Sequence, residues 1–281
     1  MLDHTAGHTV LEEIMAMYDA FFQAEKKVAD FILANPNTAV NSNVSELANS
    51  SGVSDATIIR FCKRLGYEGY YQMRLLLARD LGRQGHDPVP SNSGDTSVQI
   101  LFRDIAETTL AVAASTDESV FREAAELLKH CSMAHLVATG NTTSLCQDMG
   151  PRLEQMGIRC TYSVLAEHYM RHIELGSSTD VIVAISGSGT SKNVVKALNL
   201  AREKGMKSIA VTAFQYSPVS RIADCLLLST PKGQADHSLF RVSRLNEMIV
   251  LEVLARMLES AIGGGNDALV ESEFILSGTK Y

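Results

Sequence analysis

The spacing of apolar residues changes part-way along the chain. In the first part they recur at helical intervals, as with Ile58, Phe61, Cys62 and Leu65 at i, i+3, i+4 and i+7. Such a stripe is typical of a helix with one buried face. After residue 98, short aliphatic runs alternate with helical patterns. This alternation predicts a parallel sheet covered by helices on both faces.

A segment poor in apolar residues separates the two patterns. Residues 82–97 are rich in Gly, Pro and Ser and include one aliphatic side chain. Since this composition cannot bury a core, we predict a linker there. The predicted architecture is an all-α domain of residues 1–81 followed by an α/β domain of residues 98–281. The five expected parallel strands lie at residues 135–139, 159–162, 181–185, 208–212 and 225–228, and a long helix at 239–261 closes the domain.

Residues 43–65 predict two short helices joined by a tight turn. Gly52 suits a turn with positive φ, and Ser54 is a candidate N-cap for the second helix. This spacing is that of a helix-turn-helix motif, whose second helix enters the DNA major groove. The expected DNA contacts begin that helix or lie on its outward face: Ser54, Asp55, Ala56, Thr57, Arg60, Lys63 and Arg64.

The expected roles differ along this second helix. Residues 54–57 would reach base edges, Arg60 would read guanine or hold a phosphate, and Lys63 and Arg64 would hold phosphates. Five basic residues and one acidic residue lie between positions 57 and 79. The net charge of −7 argues against a general nucleic-acid coat but permits such a local patch. A helical dimerisation or docking domain with a solvated basic face is the alternative.

The run of aliphatic residues 181–185 stops in a loop rich in hydroxyl groups and glycine. Such a strand, tight loop and helix N-terminus form an anion-binding arrangement, because free backbone N–H groups and the helix dipole point to one place. The loop matches neither a Walker A sequence nor a dinucleotide fingerprint. The expected phosphate contacts are Ser186, Gly187, Ser188, Gly189, Thr190 and Ser191. A simple strand-to-helix connection with an N-cap is the alternative.

The amino-acid composition limits the classes of protein to which the chain can belong. The 281 residues include 46% hydrophobic and 20% charged residues, which is ordinary for a soluble globular protein. No stretch approaches the ~20 apolar residues of a membrane span, and no signal peptide is visible at the N-terminus. The five cysteines are scattered without a CxxC pair, as expected for reduced thiols. We therefore expect a cytoplasmic protein.

Two portions of the sequence resemble a known family. Residues 51–70 resemble the DNA-binding domain of RpiR/MurR-type bacterial transcriptional regulators, and residues 25–36 resemble the helix that opens it. Residues 186–191, together with Thr212 and residues 217–224, resemble a SIS (sugar isomerase) domain. The resemblance implies an α/β fold with a helix-turn-helix domain joined to a SIS domain. It implies a regulator that binds operator DNA and senses a phosphorylated sugar, or a related sugar acid, as its effector.

The resemblance also assigns residues to the effector. The SIS pattern places binding hydroxyl groups at Ser186, Ser188 and Ser191. In the family's first loop it leaves Gly140, Asn141 and Ser144 as expected contacts, while Thr142 stands where a second glycine is usual and should narrow that loop. No cofactor is expected. We expect a homodimer or homotetramer assembled through the SIS domain, because the apolar surface of the final helix is wide.

Other residues leave alternatives open. Glu247 is a pocket candidate or lies on a solvated helix face, and Arg241 and Arg244 would pair with a phosphate or with acids of a partner subunit. His168 and His172 have metal-ligand spacing without a third ligand on the same face, so we expect no metal site. The competing function is an aldose–ketose phosphosugar isomerase, whose general base would be Glu167, His168 or Glu247. A helix-turn-helix domain has no use in such an enzyme, so we favour the regulator.

Overall fold

The computed structural model describes residues 9–84, 97–231 and 244–263. They divide into two compact units, with the division in the sequence between Asp104 and Ile105. One helix ends at Gln84 and the next begins at Ser97, so most of the predicted linker lies outside the described residues. The predicted domain limits therefore stay predictions. No helix of the described segments is both long and apolar enough to cross a membrane.

The described residues of the first unit are helical. Its helices are α1 (Val10–Ala16), α2 (Gln23–Ala34), α3 (Pro36–Asn41), α4 (Val44–Ser51), α5 (Asp55–Arg64) and α6 (Tyr70–Gln84), with a 3-10 turn at Tyr18–Ala20. The predicted stripe on α5 is confirmed, because Ile58, Phe61, Cys62 and Leu65 are all fully buried. They share one core with residues of α1, α2, α4 and α6. The helix-turn-helix pair α4 and α5 is thus fixed by a core that the other helices complete.

The second unit has strands and helices in alternation after a helical start. Its elements are α7 (Ser97–Ser115, which crosses the division), α8 (Glu118–His130), β1 (Ala134–Ala138), α9 (Thr143–Gln155), β2 (Cys160–Tyr162), α10 (Ala166–Leu175), β3 (Val181–Ile185), α11 (Lys192–Glu203), β4 (Lys207–Thr212), β5 (Cys225–Leu228) and α12 (Leu245–Ile262). The strands form one sheet in the order β2-β1-β3-β4-β5, and every pair is parallel. The predicted five-stranded parallel sheet is confirmed.

Helices cover both faces of this sheet. Residues of α8, α9 and α12 pack on one face, and residues of α10 and α11 pack on the other. All five residues of β3 are therefore buried, which explains its unbroken aliphatic sequence. The predicted final helix began at residue 239, but α12 begins at Leu245, and residues 239–243 lie outside the described residues.

The strand order places the loops that concern function. The chain runs outward from β1 to β2 and then returns to β3 on the other side of β1, so the topology reverses between β1 and β3. In open parallel sheets, ligands bind beyond the carboxyl ends of the strands at such a reversal. The loops that follow β1 and β3 both lie there.

Candidate functional site

The loop between β3 and α11, residues 186–191, is held in place by its backbone. Ser186 N–H donates to the carbonyl of Val211 at 3.0 Å, and Ala213 N–H donates to the carbonyl of Gly187 at 3.1 Å. Within the loop, Gly189 N–H donates to the carbonyl of Ser186 at 2.9 Å. We call residues 186–191 the phosphate loop. Its bonds to the end of β4 fix its shape, so an anion would meet donors that are already in position.

The hydroxyl groups of the phosphate loop bond to each other rather than to the helix. Ser186 Oγ donates to Ser191 Oγ at 3.1 Å, and the hydroxyl oxygens of Ser188 and Thr190 lie 3.0 Å apart. Ser191 stands at the N-cap of α11 but makes no capping hydrogen bond. The first N–H groups of a helix have no acceptor inside it. The loop therefore lacks the side-chain cap that a simple capped connection would have, and α11 presents uncapped donors beside the hydroxyl groups.

Two glycines let other parts of the unit approach the phosphate loop. Gly189 has φ +65°, and a Cβ atom there would lie 2.3 Å from Ser217 Oγ. A Cβ atom on Gly187 would lie 2.4 Å from Nη1 of Arg244 and 2.6 Å from Oε1 of Glu247. The start of α12 therefore packs directly on the loop backbone.

Glu247 belongs to this site and is not on a solvated helix face. Its side chain is 5% exposed, and Nη1 of Arg244 donates to Glu247 Oε1 at 3.3 Å. Nε of Arg244 is buried and has no hydrogen-bond partner among the described residues. Glu247 was a predicted contact, whereas Arg244 was left open between a phosphate and a partner's acid. Arg241, its companion in that prediction, lies outside the described residues.

The loop after β1 lies at the same edge of the sheet. Gly140 begins a 3-10 turn with φ +69°, and Asn141 and Ser144 are exposed. Thr142 is buried instead, and its hydroxyl group donates to the carbonyl of Ile185 at 3.3 Å. The residue that departs from the family pattern thus ties the first loop to the end of β3. The structure brings the two predicted ligand loops together.

The residues of α10 that were proposed as a general base or as metal ligands lie on the surface of that helix. Glu167, His168 and His172 are exposed on α10. Within the described part of the chain, no group of three or more His, Cys, Asp or Glu side chains could hold a metal ion. His135, which sequence reasoning missed, is buried in β1 between Thr161 and Asp180. Burial lowers its pKa, and it lies toward the start of β1, away from the loops at the strand's other end.

The predicted helix-turn-helix geometry is confirmed. Gly52 ends α4 with φ 65°, and Ser54 Oγ caps α5 by accepting from Thr57 N–H. Ser54 and Ala56 are exposed at the start of α5. The basic residues Arg60, Lys63 and Arg64 are exposed farther along the same helix.

Two of the residues predicted to face outward are engaged within the unit. Thr57 is buried, so its predicted outward orientation is wrong. It lies one position before the buried stripe, where its hydroxyl contacts Ser54 Oγ at 3.0 Å and accepts from Arg60 at 3.3 Å. Asp55 is half-buried and accepts from Ser45 Oγ at 2.6 Å, which joins α4 to α5. Whether Asp55 also contacts DNA stays a prediction.

The basic residues of α5 line a groove with the start of α2. Its volume is about 690 Å³, and Phe22, Ala24, Glu25, Thr57, Arg60, Lys63 and Arg64 line it. Arg64 pairs with Glu25 at 3.1 Å and lies over the ring of Phe22 at 4.4 Å. Since the guanidinium is held on two sides, Arg64 presents its charge at a fixed place beside the groove.

Comparison with known proteins matches both parts of the chain. The model of the helix-turn-helix domain of the rpiR family matches residues 8–84, and the SIS domain model matches residues 127–257. The chain is 28% identical over 254 residues to the HTH-type transcriptional regulator YbbH of Bacillus subtilis, covering 86% of this chain and 87% of YbbH. It is 25% identical over 279 residues to an HTH-type transcriptional regulator of Thermotoga maritima, covering 97% of this chain and 99% of that protein.

A solved structure is similar over nearly the whole chain. It is the Vibrio vulnificus NanR protein complexed with ManNAc-6P, with a TM-score of 0.83 and 20% sequence identity. The match covers 96% of this chain and 99% of that one. At this identity the likeness shows a shared fold.

Proposed function

We propose, on the premise that this chain belongs to the rpiR family of helix-turn-helix transcriptional regulators with a SIS domain, that a phosphorylated sugar controls its binding to operator DNA. The main support for the proposal is the phosphate loop. Its hydroxyl groups lie beside the uncapped start of α11, at the point where the sheet topology reverses. The ManNAc-6P in the structure of NanR supports the choice of ligand class.

In this proposal α5 reads the operator. Ser54 and Ala56 lie at the exposed start of the helix, from which base edges are reached. Arg60 reads guanine or holds a phosphate, and Lys63 and Arg64 hold phosphates along the groove described above. Two copies of α5 about one DNA turn apart would read a two-fold-related site.

The effector would bind where the loops after β1 and β3 meet. The phosphate accepts hydrogen bonds from the start of α11 and from the hydroxyl groups of Ser186, Ser188, Thr190 and Ser191. Gly140, Asn141 and Ser144 then face the sugar. The effector is therefore a ligand, and the proposal requires no cofactor.

The assembly in this proposal is a homo-oligomer formed through the second unit and through α7, which crosses the division between the units. On α7, Val98, Leu101, Phe102, Ile105 and Leu110 are exposed. Val98, Leu101 and Ile105 recur at intervals of three and four residues, which is typical of helices that pair. On α12, Leu245, Met248 and Val253 are exposed. Apolar side chains grouped in this way mark protein–protein interfaces, and a second copy of the chain would cover them.

We also propose that the effector is bound without being converted. An isomerase needs a general base within reach of the sugar carbon atoms. Glu247, the acidic candidate at the phosphate loop, is engaged by Arg244, and relatives across most of the chain are named as transcriptional regulators. Incubation with ManNAc-6P and a panel of hexose and pentose phosphates, followed by product analysis, tests this point. Turnover of any of them would favour the isomerase.

The regulatory proposal is tested by DNA binding. Operator fragments selected from genomic DNA are labelled, and fluorescence anisotropy is measured while the same sugar phosphates are added. One of them should change the operator affinity by a factor of roughly 5 to 150, the usual range of allosteric coupling. In the double variant Ser188→Ala, Ser191→Ala the change should disappear, while operator affinity without the sugar stays as in wild type. An unaltered response in that variant would show that the hydroxyl groups of the phosphate loop do not bind the effector.

A further inference from the structure

Arg244 lies against the backbone of the phosphate loop. A Cβ atom on Gly187 would lie 2.4 Å from Arg244 Nη1, too close for any other residue type to fit without movement. Gly187 does not have a positive φ, so a larger residue there would have to displace the ends of the Arg244 and Glu247 side chains. The guanidinium and the loop are thus parts of one packed arrangement.

Not every donor of Arg244 has an acceptor among the described residues. A guanidinium carries five N–H donors in a planar fork. One of them, on Nη1, meets Glu247 at 3.3 Å, while the buried Nε has no partner among the described residues. A buried donor without an acceptor is unfavourable. An anionic oxygen at the phosphate loop would supply an acceptor for the guanidinium.

Glu247 favours a hydrogen-bond donor at its carboxylate, whereas Arg244 favours an acceptor. Its carboxylate is 5% exposed and lies 2.6 Å from the Cβ position of Gly187, so it contacts the same stretch of loop. A carboxylate accepts hydrogen bonds and repels an anion placed against it. A ligand group beside Glu247 must therefore be a hydrogen-bond donor without negative charge, such as a hydroxyl or an amide N–H.

We propose that Arg244 and Glu247 read two different groups of one effector. Arg244 binds anionic oxygen atoms, and Glu247 accepts a hydrogen bond from a neutral hydroxyl or amide group on the same molecule. The pair therefore selects small molecules that carry both groups, as a phosphorylated sugar does. Inorganic phosphate offers a group to Arg244 alone, and an unphosphorylated sugar offers one to Glu247 alone. This inference rests on the proposed function, since it assigns residues to the effector site proposed there.

The test is calorimetric titration of the full-length protein with three probes. They are the sugar phosphate that binds wild type most tightly in the titrations above, the same sugar without phosphate, and inorganic phosphate. The variants are Arg244→Gln, Arg244→Lys and Glu247→Gln. Lys196→Gln is the matched control, because it removes an exposed positive charge from α11 one turn beyond the loop.

The affinities expected for the three probes differ between the Arg244 and Glu247 variants. Arg244→Gln should weaken the sugar phosphate at least tenfold and remove measurable binding of inorganic phosphate. Glu247→Gln should weaken the sugar phosphate while leaving inorganic phosphate as tight as in wild type, or tighter. Arg244→Lys should bind the sugar phosphate with intermediate affinity, because lysine keeps the positive charge but lacks the planar set of N–H donors of a guanidinium. Lys196→Gln should match wild type for every probe.

Each result that would contradict the proposal can be distinguished from the others. If Arg244→Gln binds the sugar phosphate as tightly as Lys196→Gln does, the assignment of Arg244 is overturned although the effector proposal stands. If Glu247→Gln weakens inorganic phosphate as much as the sugar phosphate, Glu247 reads no separate group. If wild type binds none of the probes, the effector proposal fails and this inference fails with it. Circular dichroism checks folding, and if Arg244→Gln does not fold, unchanged affinity in Arg244→Lys overturns the assignment.

Discussion

Replacing Gly189 with alanine should distort the phosphate loop. Gly189 has φ +65°, and its Cβ would lie 2.3 Å from Ser217 Oγ, 2.4 Å from Ser217 Cβ and 3.0 Å from Thr212 Oγ1. Ser217 is fully buried, and its hydroxyl donates to Ser220 Oγ and accepts from Ser220 N–H, both at 3.1 Å. Since Ser217 is held in this way, the new methyl group must move the loop backbone.

The loss of stability expected for Gly189→Ala has two separate causes. A left-handed conformation costs an alanine about 1–2 kcal/mol, and overpacking a buried site costs about 1–3 kcal/mol more. The expected loss in the free energy of unfolding is therefore roughly 2–5 kcal/mol. Gly140→Ala is the matched control, because Gly140 has φ +69° but nothing within 4 Å of its Cβ position. It should lose about 1–2 kcal/mol.

The assay is guanidinium denaturation of the full-length protein, followed by far-ultraviolet circular dichroism because the chain has no tryptophan. Both glycines belong to the second unit, so the same transition reports both changes. Gly189→Ala should lower its midpoint more than Gly140→Ala does and should also abolish effector binding. Equal shifts for the two variants would refute the argument that the phosphate loop is packed against Ser217.

Four further predictions concern the first unit. Arg60→Ala should cost about 1–3 kcal/mol in operator binding if Arg60 reads guanine, whereas an equal loss on random DNA would make it a phosphate contact. Lys63→Ala should lower the salt slope of binding by about one on any sequence, and an unchanged slope would count against a phosphate contact. Asp55→Ala and Ser45→Ala should each destabilise the unit by about 1–3 kcal/mol through their shared hydrogen bond, and fully additive losses in the double variant would contradict that coupling. Burial raises the pKa of Glu46 from 4.5 to about 7, so the protonated form is favoured by folding and stability falls as pH rises through about 7. Thermal denaturation should show a smaller loss of stability between about pH 5 and pH 8 in Glu46→Gln than in wild type, and identical profiles would be contrary evidence.

Local features of the fold could be predicted because neighbouring residues determine them. The buried stripe of α5, its cap at Ser54 and the left-handed turn at Gly52 depend on residues a few positions apart. The strands of the sheet are short aliphatic runs between helical patterns, so β3 and β5 occur as predicted. The resemblance to RpiR-type regulators is confirmed by the two domain matches.

Long-range contacts could not be read from these patterns. Thr57 is a local exception: it lies at the border of the buried stripe, where helical spacing alone does not decide between a buried and an exposed side chain. The approach of Arg244 and Glu247 to Gly187 joins segments far apart in the sequence. A glycine in a ligand loop indicates that something comes close, but the sequence does not say which side chain does so.

If the effector site is coupled to operator binding, the affinities for the sugar phosphate and for the operator are thermodynamically linked. The affinity of the sugar phosphate is measured with and without saturating operator DNA, and the operator affinity with and without saturating sugar phosphate. Both ratios should equal the same factor, and both should become one in the double variant Ser188→Ala, Ser191→Ala. A sugar phosphate that binds this protein equally well with and without operator DNA would contradict this coupling.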